Sequence, residues 1–85
     1  MPKTVFTGHH KTLIDLLIET RKKAGLTQTE LGQRLGKTQK FISLVESSQR
    51  RIDVLEFYAI ARAIGVTPEA LFQELSARLP QKIDI

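Results

Sequence analysis

Apolar residues along this chain recur mostly at spacings of three and four, the period of helices with one buried face, and no stretch gives a strong strand signal. The first such run predicts a helix from about His10 to Ala24, with Leu13, Ile14, Leu17, Ile18 and Arg21 on one face. Gly25 stops it, and Arg21, Lys22 and Lys23 fill the last turn, where cations suit the helix dipole. Thr27 and Glu30 form a capping box for a second helix carrying Leu31 and Leu35 four apart, closed by Gly36. Thr38 caps a third helix with Ile42 and Val45 on one side. Asp53 opens a fourth over 54–64, with Val54, Tyr58, Ala61 and Ile64 facing inward, Leu55 beside them and Gly65 as the stop. Thr67-Pro68-Glu69 opens a fifth through about Ala77, burying Leu71, Phe72 and Leu75. The loops are short, so the expected fold is all-α: five helices in a compact domain over 9–79, between an arm (1–8) and a tail (80–85).

Two positions break the pattern. Gly32 stands in the middle of the second helix, where glycine costs roughly 1 kcal/mol relative to alanine. Close approach of the third helix is the simplest reason for the missing side chain. Arg21 lies on the line of an apolar stripe, and a buried charge needs a partner. In the arm, Lys3 is a candidate phosphate contact and Thr4-Val5-Phe6 a segment apolar enough to pack on something. In the tail, Ile83 and Ile85 alternate with charges and could add a strand to a neighbour.

Composition narrows the chemistry. There is no cysteine, so disulfides, thiolate metal sites and cysteine nucleophiles are excluded. His9-His10 offers two ligands and no third, so no metal or other cofactor is expected. No apolar run reaches the roughly 20 residues of a membrane helix, and the start, MPKTVFTGHH, lacks a signal-peptide core. These features predict a cytoplasmic protein. The serines sit in no nucleophile-elbow context, and the histidines lie near the terminus, so catalysis is not expected. The net charge of +4 is uneven: residues 1–25 and 26–51 each carry five basic and two acidic side chains, whereas 52–85 carry three and five. The surplus lies with the second and third helices and their flanks, a layout suited to a polyanion.

The order Gln28, Gly32, Gly36, Ile42, Glu46, within TQTELGQRLGKTQKFISLVE, resembles the helix-turn-helix of the phage repressor and Cro-like (XRE) family. The resemblance continues upstream through RKKAGLTQTEL and downstream through RRIDVLEFYAIARAIGVTPEALF. It implies a lambda-repressor-like DNA-binding fold that reads double-stranded DNA as a homodimer, with half-sites about 34 Å apart. It implies that Arg21 pairs with Glu46; the alternative is two exposed charges without mutual contact. It also implies base reading by Gln39, Lys40, Ser43 and Leu44. Gln matches the N6/N7 edge of adenine, Lys the O6/N7 edge of guanine, and Leu44 the thymine methyl. Phosphate contacts are implied for Gln28, which also braces Gln39, and for Ser47, Gln49, Arg50 and Arg51, with Lys37 joining on charge.

Three residues depart from the family pattern. Ser48 stands where glycine is usual in a left-handed turn, so either it carries strain or the third helix ends differently. Leu44 is more often polar, and Lys37 more often small or apolar. Phe41 is open between packing on the first helix and leaning on the DNA backbone. The fifth helix with Phe72 and Leu79, plus either terminus, is the expected dimer surface. A pure protein-interaction module that binds peptides or a toxin is the competing class, and within DNA binding a stand-alone repressor, a phage-type regulator and the antitoxin of a toxin–antitoxin pair stay open. A repressor is the role the resemblance implies, and with no effector domain in so short a chain its control is expected to come from expression, degradation or a partner.

Overall fold

The computed structural model describes residues 8–84; the arm positions Lys3 and Thr4-Val5-Phe6, and Ile85 of the tail, lie outside the described residues. The described chain forms five helices and no strand: α1 (His9–Lys23), α2 (Gln28–Leu35), α3 (Gln39–Glu46), α4 (Val54–Ile64) and α5 (Pro68–Arg78). Local chemistry sets most of the ends. Thr27 accepts from the Glu30 amide while Glu30 reaches back to the Thr27 amide, so the capping box of α2 is complete. Thr38 accepts from the Phe41 amide and starts α3. Asp53 does the same for α4, and Glu56 closes a second capping box there. Thr67 sits at the start of α5 without a side-chain cap; Pro68 at the first helical position fixes that entry instead.

One core is shared by all five helices: Ile14, Leu16 and Leu17 from α1, Leu31 from α2, Ile42 and Val45 from α3, Ile60, Ala61 and Ile64 from α4, Leu71 and Leu75 from α5. Two faces differ from the expected ones. On α1 the stripe is turned toward Leu16, 1% exposed, while Leu13 and Ile18 are half-buried. On α4 the inward side is Phe57, Ile60, Ala61 and Ile64, and Val54, Leu55 and Tyr58 are 80%, 77% and 52% exposed. Phe72 of α5 is also exposed and meets Phe57 edge-on, with ring centroids 6.3 Å apart. Period alone placed two apolar faces on α4, and packing selected the one that α2 and α5 could cover.

Ser48 adopts φ 62°, and it is the one non-glycine residue in the left-handed region among those described. The turn nonetheless closes α3 as a glycine would: the Ser48 amide donates to Val45 O, and the Gln49 and Arg50 amides both donate to Leu44 O. The strained alternative is therefore the observed one. Left-handed backbone costs a residue with Cβ about 1–2 kcal/mol. Ser48→Gly is accordingly expected to raise stability in a urea melt by about 1 kcal/mol. A loss of stability would mean that the serine side chain supports the turn.

Candidate nucleic-acid interface

The second and third helices meet at Gly32. An added Cβ there would lie 2.7 Å from Thr38 O and 2.8 Å from Thr38 C, both backbone atoms at the start of α3. Glycine thus lets the first turn of α3 rest directly on the middle of α2. Beyond it, the Lys37 amide donates to Gly32 O at 2.8 Å, and Gly36 turns left-handed at φ 70°.

Its inner side fixed by Ile42 and Val45, at 1% and 2% exposure, α3 presents Gln39 and Lys40 to solvent on its first turn. Ser43 and Leu44 follow along the same helix and are half-buried. The four expected base-reading residues are thus carried by one short helix, the two polar leading ones being the most open.

Behind them runs a chain of hydrogen bonds into the core. Arg21, 7% exposed, donates to Glu46 through Nε at 2.6 Å and Nη2 at 2.9 Å, and through Nη1 to Leu26 O at 2.7 Å. Glu46 Oε1 also accepts from Gln28 Nε2 at 2.9 Å, and Gln28 Oε1 accepts from Gln39 Nε2 at 2.7 Å. The exposed alternative for Arg21 and Glu46 is excluded: both side chains are 9% exposed and bidentate. Gln28 braces Gln39, as the resemblance implied.

The expected phosphate residues divide into groups. Ser47, Gln49 and Arg51 are exposed in the loop after α3, and Lys37 is exposed in the turn before it. Arg50 is already engaged. It makes a bidentate pair with Glu56, donates to Arg51 O, and stacks over Phe41 with its guanidinium 4.7 Å from the ring centroid. Lys37 Nζ lies 5.6 Å from the same ring. Phe41 therefore carries two cations and lines a small hollow with Leu35, Ala59 and Ile60. The hydrogen bonds from Arg50, then that from the Asp53 amide, hold the Glu56 carboxyl below its usual range. Glu56 is not among the residues expected from sequence, and the capping-box spacing Asp53-x-x-Glu56 is the signal that marks it. At the start of α1, burial first and the charge of Arg51 second hold His10 below its ordinary range, so this loop lies close to α1. No group of three or more His, Asp or Glu able to hold a metal occurs among the described residues.

A helix-turn-helix family model, HTH_3, matches residues 17–71, which is more than half of the chain. The chain belongs to this helix-turn-helix family. Helix-turn-helix transcriptional regulators are a DNA-binding and non-enzymatic class. Among curated relatives, the chain is 38% identical over 47 residues to the HTH-type transcriptional regulator y4dJ of Sinorhizobium fredii, covering 55% of this chain and 61% of that protein. It is 40% identical over 50 residues to an HTH-type transcriptional regulator of Methanothermobacter thermautotrophicus, covering 59% and 72%. A solved XRE-family like protein from Pseudomonas syringae pv. tomato superposes with a TM-score of 0.79 at 47% identity, covering 85% of this chain and 88% of the other. The helix-turn-helix motif lies inside the matched region, with α2 as its first helix and α3 as its second. No described helix is long and apolar enough to cross a membrane.

Proposed function

We propose that this helix-turn-helix protein is a sequence-specific repressor that binds double-stranded DNA as a homodimer, with α3 in the major groove. The observation that carries the reading is the opposition on α3: its inner aliphatics are sealed in the core while Gln39 and Lys40 stand open on the leading turn. A helix docked by its N-terminal end offers those side chains to base edges. Exposed Lys37 before α3, and Ser47, Gln49 and Arg51 in the loop after it, can meet phosphates on either side. Arg50 serves this surface chiefly by shaping the loop, since Glu56 already compensates its charge. Bound across a promoter, such a domain represses by occupancy, in a cytoplasmic setting.

For the dimer, the exposed apolar face of α4 supports a second copy better than the tail does. Val54, Leu55 and Tyr58 begin eight residues after α3 ends, with Phe72 standing against Phe57 of the same helix. A two-fold axis beside that face is expected to set the two leading turns about 34 Å apart, the spacing of successive major grooves.

Selecting bound fragments from random DNA tests both parts. The expected pool shares an inverted repeat with half-sites about one helical turn apart, and affinity falls steeply with salt as counterions are released. A pool without a shared sequence, or binding insensitive to salt, would contradict DNA reading; single half-sites bound by monomers would contradict the dimer.

A further inference from the structure

The hydrogen-bond chain behind α3 has a direction, and that direction has a consequence for base choice. Resting on the DNA reading above, we infer that Glu46, which lies in the core away from the groove-facing turn, sets the orientation of the Gln39 amide and so its preference for adenine. A carboxylate offers acceptors only. Glu46 Oε2 takes Arg21 Nε, and Oε1 takes Arg21 Nη2 together with Gln28 Nε2 at 2.9 Å. Turning the Gln28 amide over would set its carbonyl oxygen against a carboxylate oxygen at that distance, acceptor against acceptor. Gln28 must therefore face its NH2 inward and its Oε1 outward.

The same reasoning passes one residue on. Gln28 Oε1 sits 2.7 Å from Gln39 Nε2, and turning Gln39 over would again oppose two oxygens. One N–H of Gln39 is thereby used by the brace. What remains is Oε1 and the second N–H, an acceptor beside a donor. Adenine presents the complement in the major groove, the N6 amino donor beside the N7 acceptor. Guanine presents two acceptors, O6 and N7, one of which would face Gln39 Oε1. An unbraced glutamine amide could rotate to turn its NH2 toward guanine O6. Arg21 holds Glu46 in place, Glu46 orients Gln28, and Gln28 orients Gln39. The first three are positioning residues, and Gln39 alone among the four touches a base edge.

The test compares duplexes that differ only at the base pair whose identity Gln39→Ala ceases to sense. The unsubstituted protein is expected to favour adenine over guanine there by about tenfold or more. Gln28→Leu, at a half-exposed position that leaves the Arg21–Glu46 pair intact, should bring that ratio several-fold closer to one. Glu46→Gln should do the same, whereas Arg21→Lys, which keeps both the carboxylate and a cation to hold it, should retain the ratio. If Glu46→Gln fails to fold, the double Arg21→Met with Glu46→Leu, which removes the carboxylate without stranding the guanidinium, carries the same test, and an unchanged ratio there would overturn the role of Glu46. A scalar coupling across the hydrogen bond from Gln39 Nε2 to the Gln28 carbonyl, seen by NMR in the protein without DNA, reads the brace independently of any operator. An adenine preference unchanged in Gln28→Leu, or a guanine preference in the unsubstituted protein, would overturn the inference while leaving the DNA reading intact. Absence of base preference at every position would overturn the DNA reading itself, and this inference with it.

Discussion

Glu46→Ala is expected to lower stability by about 3–5 kcal/mol, because it strands the Arg21 guanidinium inside the domain. Arg21 is 7% exposed, its Nε and Nη2 both point at Glu46, and Nη1 is committed to Leu26 O at the α1–α2 connection. With the side chain only 9% exposed, water reaches little of the abandoned guanidinium. For a domain whose total stability falls in the usual range of about 5–15 kcal/mol, such a loss approaches unfolding. Arg21→Ala is expected to cost a similar amount, leaving Glu46 with Gln28 Nε2 as its remaining side-chain donor. Removing both charges together, as Arg21→Met with Glu46→Leu, should recover most of the loss, since the charges balance each other more than they stabilise the fold. Urea melts of the singles and the double measure this directly. Singles within about 1 kcal/mol of the parent would show that the pair is hydrated in solution.

Gly32→Ala should destabilise by about 1–3 kcal/mol, the usual cost of forcing extra volume into a packed contact. In an open helix the same change would gain roughly 1 kcal/mol from propensity, so the expected sign is the reverse of the helical one. The atoms an added Cβ would strike are the Thr38 carbonyl carbon and oxygen, with Gln39 N at 3.2 Å. These are backbone, and no side chain can swing away to make room. Relief requires α3 to move off α2 by several tenths of an ångström, which also displaces Gln39 from Gln28. Specific DNA affinity should consequently fall by more than the stability loss explains at saturating protein. A stabilised Gly32→Ala variant would mean that the two helices part readily.

Much of this was legible in the chain. Thr27-x-x-Glu30, Gly36 and Thr38 fix the ends of α2 and α3 through local hydrogen bonds, so neighbours in sequence carried the information. Gly32 announced the close contact by its cost. The Arg21–Glu46 pair, 25 residues apart in sequence, came from the resemblance, since no local rule links its members. What the period could not decide was which of two apolar faces α4 would bury. Val54, Leu55 and Tyr58 have the same spacing as a core stripe, and only the docking of α2 and α5 against Ile60 and Ile64 leaves them outside. Leu16 on α1 falls outside the expected stripe for a comparable reason: five apolar residues within six positions define a wide face, and packing chooses its centre. Phe41 under Arg50 and Lys37 joins parts of three segments, and no pattern within any one of them foretells it.

The central claim is that the leading turn of α3 reads base edges. It is tested most directly by the affinity ratio between a selected site and random duplex, measured at one salt concentration for the parent, Gln39→Ala and Lys40→Ala. Each substitution is expected to weaken the selected site by about 1–3 kcal/mol and random DNA by much less, so that the ratio collapses. Equal losses on both duplexes would place these side chains on phosphate and contradict it.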